Sequence, residues 1–198
     1  MPVTLDQKPA KTGRTVGETL DLIRAELPEG RVIVNVQLNG ETLDATNLAL
    51  HRQTAIDAQN LAVETTPKAE LARATIGKIA ALIEWLHPRH AETAALFEKG
   101  QHTAGLEKLK ELLSAWGQIQ AAYSGLVTLM GLDLATLQVG ERSANGVLSD
   151  FAGQLSEIQN ALVNQDMVLL ADVLQYEVDN IVTSWVALLE ATLARVEH

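Results

Sequence analysis

The chain has 198 residues, no cysteine, and only three Trp, two Tyr and two Phe, with a formal charge of −10 at neutral pH. Without cysteine there are no thiol nucleophiles, disulfide staples or thiolate-ligated metals. Its 47% hydrophobic content is too high for a mainly disordered chain. No apolar run approaches the roughly 18 residues of a membrane span. Met1–Arg14 holds no apolar stretch of the secretory kind, so a cytoplasmic protein is expected.

The length suits one domain or one and a half, and needs no metal to fold. Charge is unevenly placed. Residues 1–111 carry 13 Lys and Arg against 15 Asp and Glu, whereas residues 112–198 carry Arg142 and Arg195 against ten acids. That second segment repels a phosphate backbone, so neither nucleic acid nor an anionic membrane is an expected partner. Acidity of this kind serves solubility first, and a basic partner is the sharper alternative.

In chain order, Lys8, Lys11 and Arg14 with Pro2, Pro9 and Gly13 read as a flexible arm, with Val3-Thr4-Leu5 as an alternative short strand. Thr15-Val16-Gly17-Glu18 predicts a capping box, and Val16, Leu20, Ile23 and Leu27 follow at helical spacing. Pro28-Glu29-Gly30 stops that helix. Val32, Val34, Val36 and Leu38 alternate, which predicts a strand with one apolar face. Asn39-Gly40 predicts a hairpin back through Glu41-Thr42-Leu43, with Leu43 opposite Val36. Residues 45–58 are ambiguous, and Leu61–Thr65 reads as a third strand.

At Thr66-Pro67 the pattern changes. Thr suits an N-cap and Pro the first helical position, so a helix is expected from there to about His87, where Pro88 would end it. A short helix follows over roughly 90–99. Leu106, Leu109, Leu113, Trp116, Gln120, Tyr123, Val127 and Met130 then alternate by three and four, a bundle seam that Gly131 closes. Residues 132–146 read as a bent connection. Leu148, Phe151, Leu155, Ile158 and Leu162 mark the next helix, and Asp166 caps the last. The expected fold is mainly α: an antiparallel bundle of about four helices over residues 66–198, with a small α+β unit containing a β-hairpin over residues 1–65. Strands are expected only before residue 66.

Five histidines invite a search for metal: His51, His87, His90, His102 and His198. Glu84 and His87 make one Glu-x-x-His step, where carboxylate-bridged di-iron bundles use two. No cofactor or metal is therefore expected, and an enzyme built on Glu84, His87, His90 and Glu92 is the alternative reading. No nucleophile elbow, phosphate loop or dinucleotide fingerprint occurs.

Two features remain. Ser114, Gly117, Ala121, Ser124 and Thr128, and later Gly146, Ser149, Gly153, Ser156 and Asn160, form small-residue stripes, solvated, packed on each other or serving as a docking face. Helical glycine costs roughly 1 kcal/mol against alanine, so close helix approach is the expected reason for Gly117 and Gly153. In the last helix, Glu177 falls in register with Leu170, Leu174, Ile181 and Leu188. It reads as a rim residue, as a buried polar lock, or, with Asp172, Tyr176 and Asp179, as a contact for a basic protein.

That helix is apolar over more than half its circumference, beyond the roughly 100° stripe a bundle needs. A homodimer or a protein partner is expected to cover the excess. The composition and helical character are similar to small acidic helical chaperones of bacterial export systems, a likeness that carries no residues over. Together these features predict a non-enzymatic protein-interaction module.

Overall fold

A computed structural model describes residues 3–56 and 60–197 of the chain, and contacts between Cα atoms divide it between Leu71 and Ala72 into two units. The first opens with β1 (Val3–Leu5) and β2 (Lys8–Pro9), paired antiparallel around Asp6 and Gln7, whose φ angles are +48° and +64°. The expected arm is thus a strand pair from Val3 onward, anchored because Val3 is buried. Next come α1 (Val16–Glu26), β3 (Arg31–Leu38), β4 (Glu41–Thr42), α2 (Ala45–His51) and β5 (Leu61–Pro67). The five strands make one mixed sheet in the order β2-β1-β5-β3-β4, with β5 parallel to β1 and antiparallel to β3. Val16, Leu20 and Ile23 of α1 share a core with Val3, Val36, Leu38, Leu61 and Val63.

Local chemistry explains the elements. The Thr15 hydroxyl accepts from the Glu18 amide at 3.1 Å, while the Glu18 carboxylate accepts from the Arg14 amide at 2.9 Å, one residue earlier than a capping box has it. Asn39 and Gly40 take φ of +55° and +87°, and the Leu43 amide donates to Val36 at 2.8 Å. Gly17 lies so close to α2 that a Cβ there would meet the Arg52 carbonyl at 2.8 Å.

Two expectations need correction. The single face of Val32, Val34, Val36 and Leu38 is broken by a bulge between Ile33 and Asn35, which pair with the neighbouring Thr65 and Glu64. Val34 is the extra residue and is exposed, so Ile33 packs on the core instead. Thr66 is no N-cap either. It pairs with Val32, and Pro67 with Arg31, because β5 runs to the end of its ladder before proline's missing N–H matters.

The second unit contains most of α3 (Lys68–Glu98), then α4 (His102–Met130), β6 (Gln138–Val139), β7 (Arg142–Ser143), α5 (Ala144–Val163), α6 (Met167–Asp172) and α7 (Val178–Val196). A π-helical turn, Val173–Glu177, joins α6 to α7 in one run. The protein is mainly helical with a small N-terminal sheet. The β6–β7 hairpin is a correction to the expectation of no strand beyond residue 66: Gly140, at φ +63°, lets the connection turn back on itself. Among the described residues no helix is long and apolar enough to cross a membrane.

Pro88 does not end α3. It lies inside the helix, and side chains crowd onto the carbonyls around it. Arg89 donates to the Trp85 carbonyl, His90 Nδ1 to Leu86 at 2.9 Å, and Thr93 to Arg89 at 2.7 Å. The α4 seam also lies one step round from the expected one. Leu109, Leu112, Trp116, Ile119, Tyr123 and Leu126 are buried, while Leu106 and Gln120 are exposed. The observed stripe has the same three-four spacing and excludes Gln120, so burial selects it. Gly105 is needed on this helix, since a Cβ would meet the Phe97 ring at 2.8 Å.

Candidate functional site

The last helical run begins at Asp166, whose carboxylate accepts from the Leu169 amide at 2.9 Å. Its π turn then adds one residue to the helical count. Leu170 is buried before it, Leu174 within it, and Val178, Ile181, Trp185 and Leu188 after it. Glu177 therefore slips out of the seam, and Val178 takes the place expected for it. The carboxylate is half-buried at the edge, with no salt bridge among the described residues. Asp172 and Tyr176 are exposed, Tyr176 by 70%. Asp179 accepts from His87 Nε2 of α3 at 2.7 Å. Val168 and Leu169 are also exposed, and with Asp172 and Tyr176 they fall on one arc of the helix.

The second unit is built around an aromatic core. Trp116 stands 4.8 Å from Phe151 and 5.9 Å from Trp185, ring centroid to centroid. Tyr123 and Phe151 both meet Trp185 edge-on, at 5.6 and 5.4 Å. Two polar links cross this core. His90, 3% exposed, donates from Nδ1 to Leu86, so its Nε2 accepts from the Trp116 indole at 3.0 Å. Burial holds the His90 pKa below its ordinary value. Tyr123 and Thr192 share a bond of 3.0 Å, and burial pushes the phenol's pKa up.

Trp185 differs. It is fully buried, and its indole N–H has no acceptor among the described residues. Trp185 is among the residues that line two cavities. One, of about 240 Å³, is walled by Arg142, Asp150, Gln154, Asn180 and Ser184 over Val147, Phe151 and Ile181. The other, of about 280 Å³, lies against Gln120, Tyr123, Val127, Leu134 and Leu148. Neither was legible from motifs. The available signal was Asn180 and Ser184 one turn apart on an apolar helix, next to Trp185.

The histidine-based constellation does not assemble. Glu84, His87 and Glu92 are exposed, whereas His90 faces the core with both nitrogens engaged. His102 stacks on Phe97, His51 lies 3.4 Å from the Thr54 hydroxyl, and His198 is outside the described residues. No three His, Asp or Glu side chains among the described residues gather so as to hold a metal ion. The small-residue stripes also need correction. Gly117 and Gly153 face open space, where an added Cβ would meet nothing within 4 Å. Close helix approach within the chain is therefore not their reason.

A helical unit around an aromatic core, with an exposed arc of Val168, Leu169, Asp172 and Tyr176, is the class these features define. The model of a domain of unknown function, DUF8042, matches residues 74–187, and the chain belongs to that family. The match takes in the aromatic core, both cavities and the π turn. No curated protein and no solved structure matches the chain.

Proposed function

We propose that this protein is a non-enzymatic interaction module that holds a basic, amphipathic polypeptide. In this reading the helices of the second unit, from Ala72 onward, act as an antiparallel bundle of four helical segments. The arc of Val168, Leu169, Asp172 and Tyr176, edged by Glu177, is the contact surface. One observation carries the reading: Tyr176, a residue type favoured at interfaces, is 70% exposed beside exposed Val168 and Leu169. These residues belong to a segment with ten acids and two cations, so charge complementarity selects a basic occupant. Asp179, already held by His87, is left out of the surface.

The test uses a labelled helical peptide of leucine and lysine, with a glutamate-for-lysine counterpart, followed by fluorescence anisotropy. The basic peptide should bind the full chain, more weakly as salt rises. Tyr176→Ala and Leu169→Ser should each weaken it about tenfold, the scale of one interface anchor worth about 1.4 kcal/mol. Equal binding by the variants would mean diffuse attraction to an acidic protein and would sink the reading. A mass of twice 21.4 kDa by light scattering, lost in Tyr176→Ala, would make a second copy the occupant instead.

A further inference from the structure

We propose that the cavity beside Trp185 is a binding site for a small organic acid with a short hydrocarbon body. Its lining separates into two chemistries. Val147, Phe151, Ile181 and the Trp185 ring are buried and apolar, whereas Arg142, Gln154, Asn180 and Ser184 offer hydrogen-bond donors. The only carboxylate on the wall is Asp150, and it is paired with Arg142. Gln154, Asn180 and Ser184 can each donate or accept, so the bias of the wall comes from the guanidinium of Arg142, and a ligand that accepts hydrogen bonds fits it.

The Trp185 indole sharpens the case. Buried side-chain donors are almost always satisfied, and this is the one buried side-chain polar atom without a partner among the described residues. Trp185 is itself one of the residues lining the cavity. Arg142 is one of only two cations in residues 112–198. It directly precedes the N-terminal end of α5, where the helix dipole also favours negative charge. Arg142 donates to the Gly146 carbonyl at 3.1 Å and to Asp150 through the same nitrogen, Nη2. Its other guanidinium nitrogens form no bond among the described residues, and a carboxylate in the cavity would meet them while competing with Asp150. The volume of about 240 Å³ lies just below the usual range for ligand sites, which limits the occupant to a few heavy atoms.

Butyrate is the probe and butyramide its uncharged counterpart. The full chain, labelled with nitrogen-15, reports through the Trp185 indole N–H cross-peak in a two-dimensional NMR spectrum. Butyrate should shift that peak saturably, and butyramide should not. Asp150→Asn releases Arg142 from its competitor and should tighten butyrate about fivefold, the upper scale of an exposed ion pair. Arg142→Gln, a substitution at an exposed position, should abolish saturation while the other two indole peaks stay in place. No saturable shift would mean that water alone serves the indole, and the proposal fails. Equal response to butyramide, or unchanged binding in Arg142→Gln, also overturns it.

Discussion

The two tryptophans deepest in the helical unit sit 5.9 Å apart and are treated differently. Trp116 gives its indole N–H to His90, whose own N–H goes to the Leu86 carbonyl, so that side of the core is chemically closed. Trp185 is just as buried, yet its N–H meets no acceptor among the described residues and the residue lines two cavities. Closed polar links fix which helix faces meet, because a slip leaves a donor unpaired in the interior. An open donor beside space does the opposite: it leaves stability unclaimed and a place for something else to bind.

The contrast is broken most directly at His90. His90→Ala should cost about 4 kcal/mol in urea denaturation, combining a cavity with an orphaned Trp116 N–H. His90→Leu, which keeps volume, should lose about 2 kcal/mol, the share due to the orphaned donor alone. A leucine variant as stable as the parent would mean that the link contributes nothing.

Acid tests the same link. Burial depresses the His90 pKa in the folded chain below its ordinary value of about 6.5, so the unfolded chain binds the proton more readily. Its contribution to stability is complete above pH 6.5 and is lost as pH falls from there toward the folded value. The slope approaches about 1.4 kcal/mol per pH unit within that window. The difference between parent and His90→Leu, followed from pH 7.5 to 5, isolates this effect from Asp6. That carboxyl is held low by the Thr65 hydroxyl first, then by the Thr65 amide and Arg31, and weakens the fold only in stronger acid.

Exchanging each indole for a smaller ring sharpens the comparison. Trp116→Phe and Trp185→Phe remove similar volume, but only the first leaves a buried acceptor, His90 Nε2, without its donor. Trp116→Phe should therefore be the costlier by about 1 kcal/mol in denaturant midpoint analysis. Equal losses would place the difference between the two indoles outside the energetics of the fold.

Local signals were legible and phase was not. The Thr15 cap, the Asn39-Gly40 turn, the Gly131 stop and the Asp166 cap act within a few residues, and each forms. The α4 seam is different, because two stripes of the same spacing run along that helix, and only tertiary burial chooses between them. Pro88 misleads because it removes a single helical N–H, the one that would donate to the Glu84 carbonyl, and the helix runs on to Glu98 on either side of that gap. The bulge at Val34 and the π turn at Val173–Glu177 each add one residue, which turns every later side chain without any mark in the residue pattern. The cluster of Asp172, Tyr176, Glu177 and Asp179 was visible in the sequence. The cavity beside Trp185 was not, since it is made by segments far apart in sequence.

The smallest effect on stability is expected on the exposed arc, and it separates the proposed contact surface from the buried core. Glu177 lies at the edge of the seam, half-buried and without a salt bridge among the described residues. A buried lock would lose roughly 3 kcal/mol on Glu177→Ala by stranding a cation. The π turn removes the condition for that loss by bringing Val178 to the core instead. Glu177→Ala and Glu177→Leu should therefore both stay within about 0.5 kcal/mol of the parent, as should Tyr176→Ala. Tyr176→Ala should still weaken the basic peptide, because its ring is spent on no internal ring contact among the described residues. A destabilisation of several kcal/mol by Glu177→Ala would restore the seam position and reverse the account of the π turn.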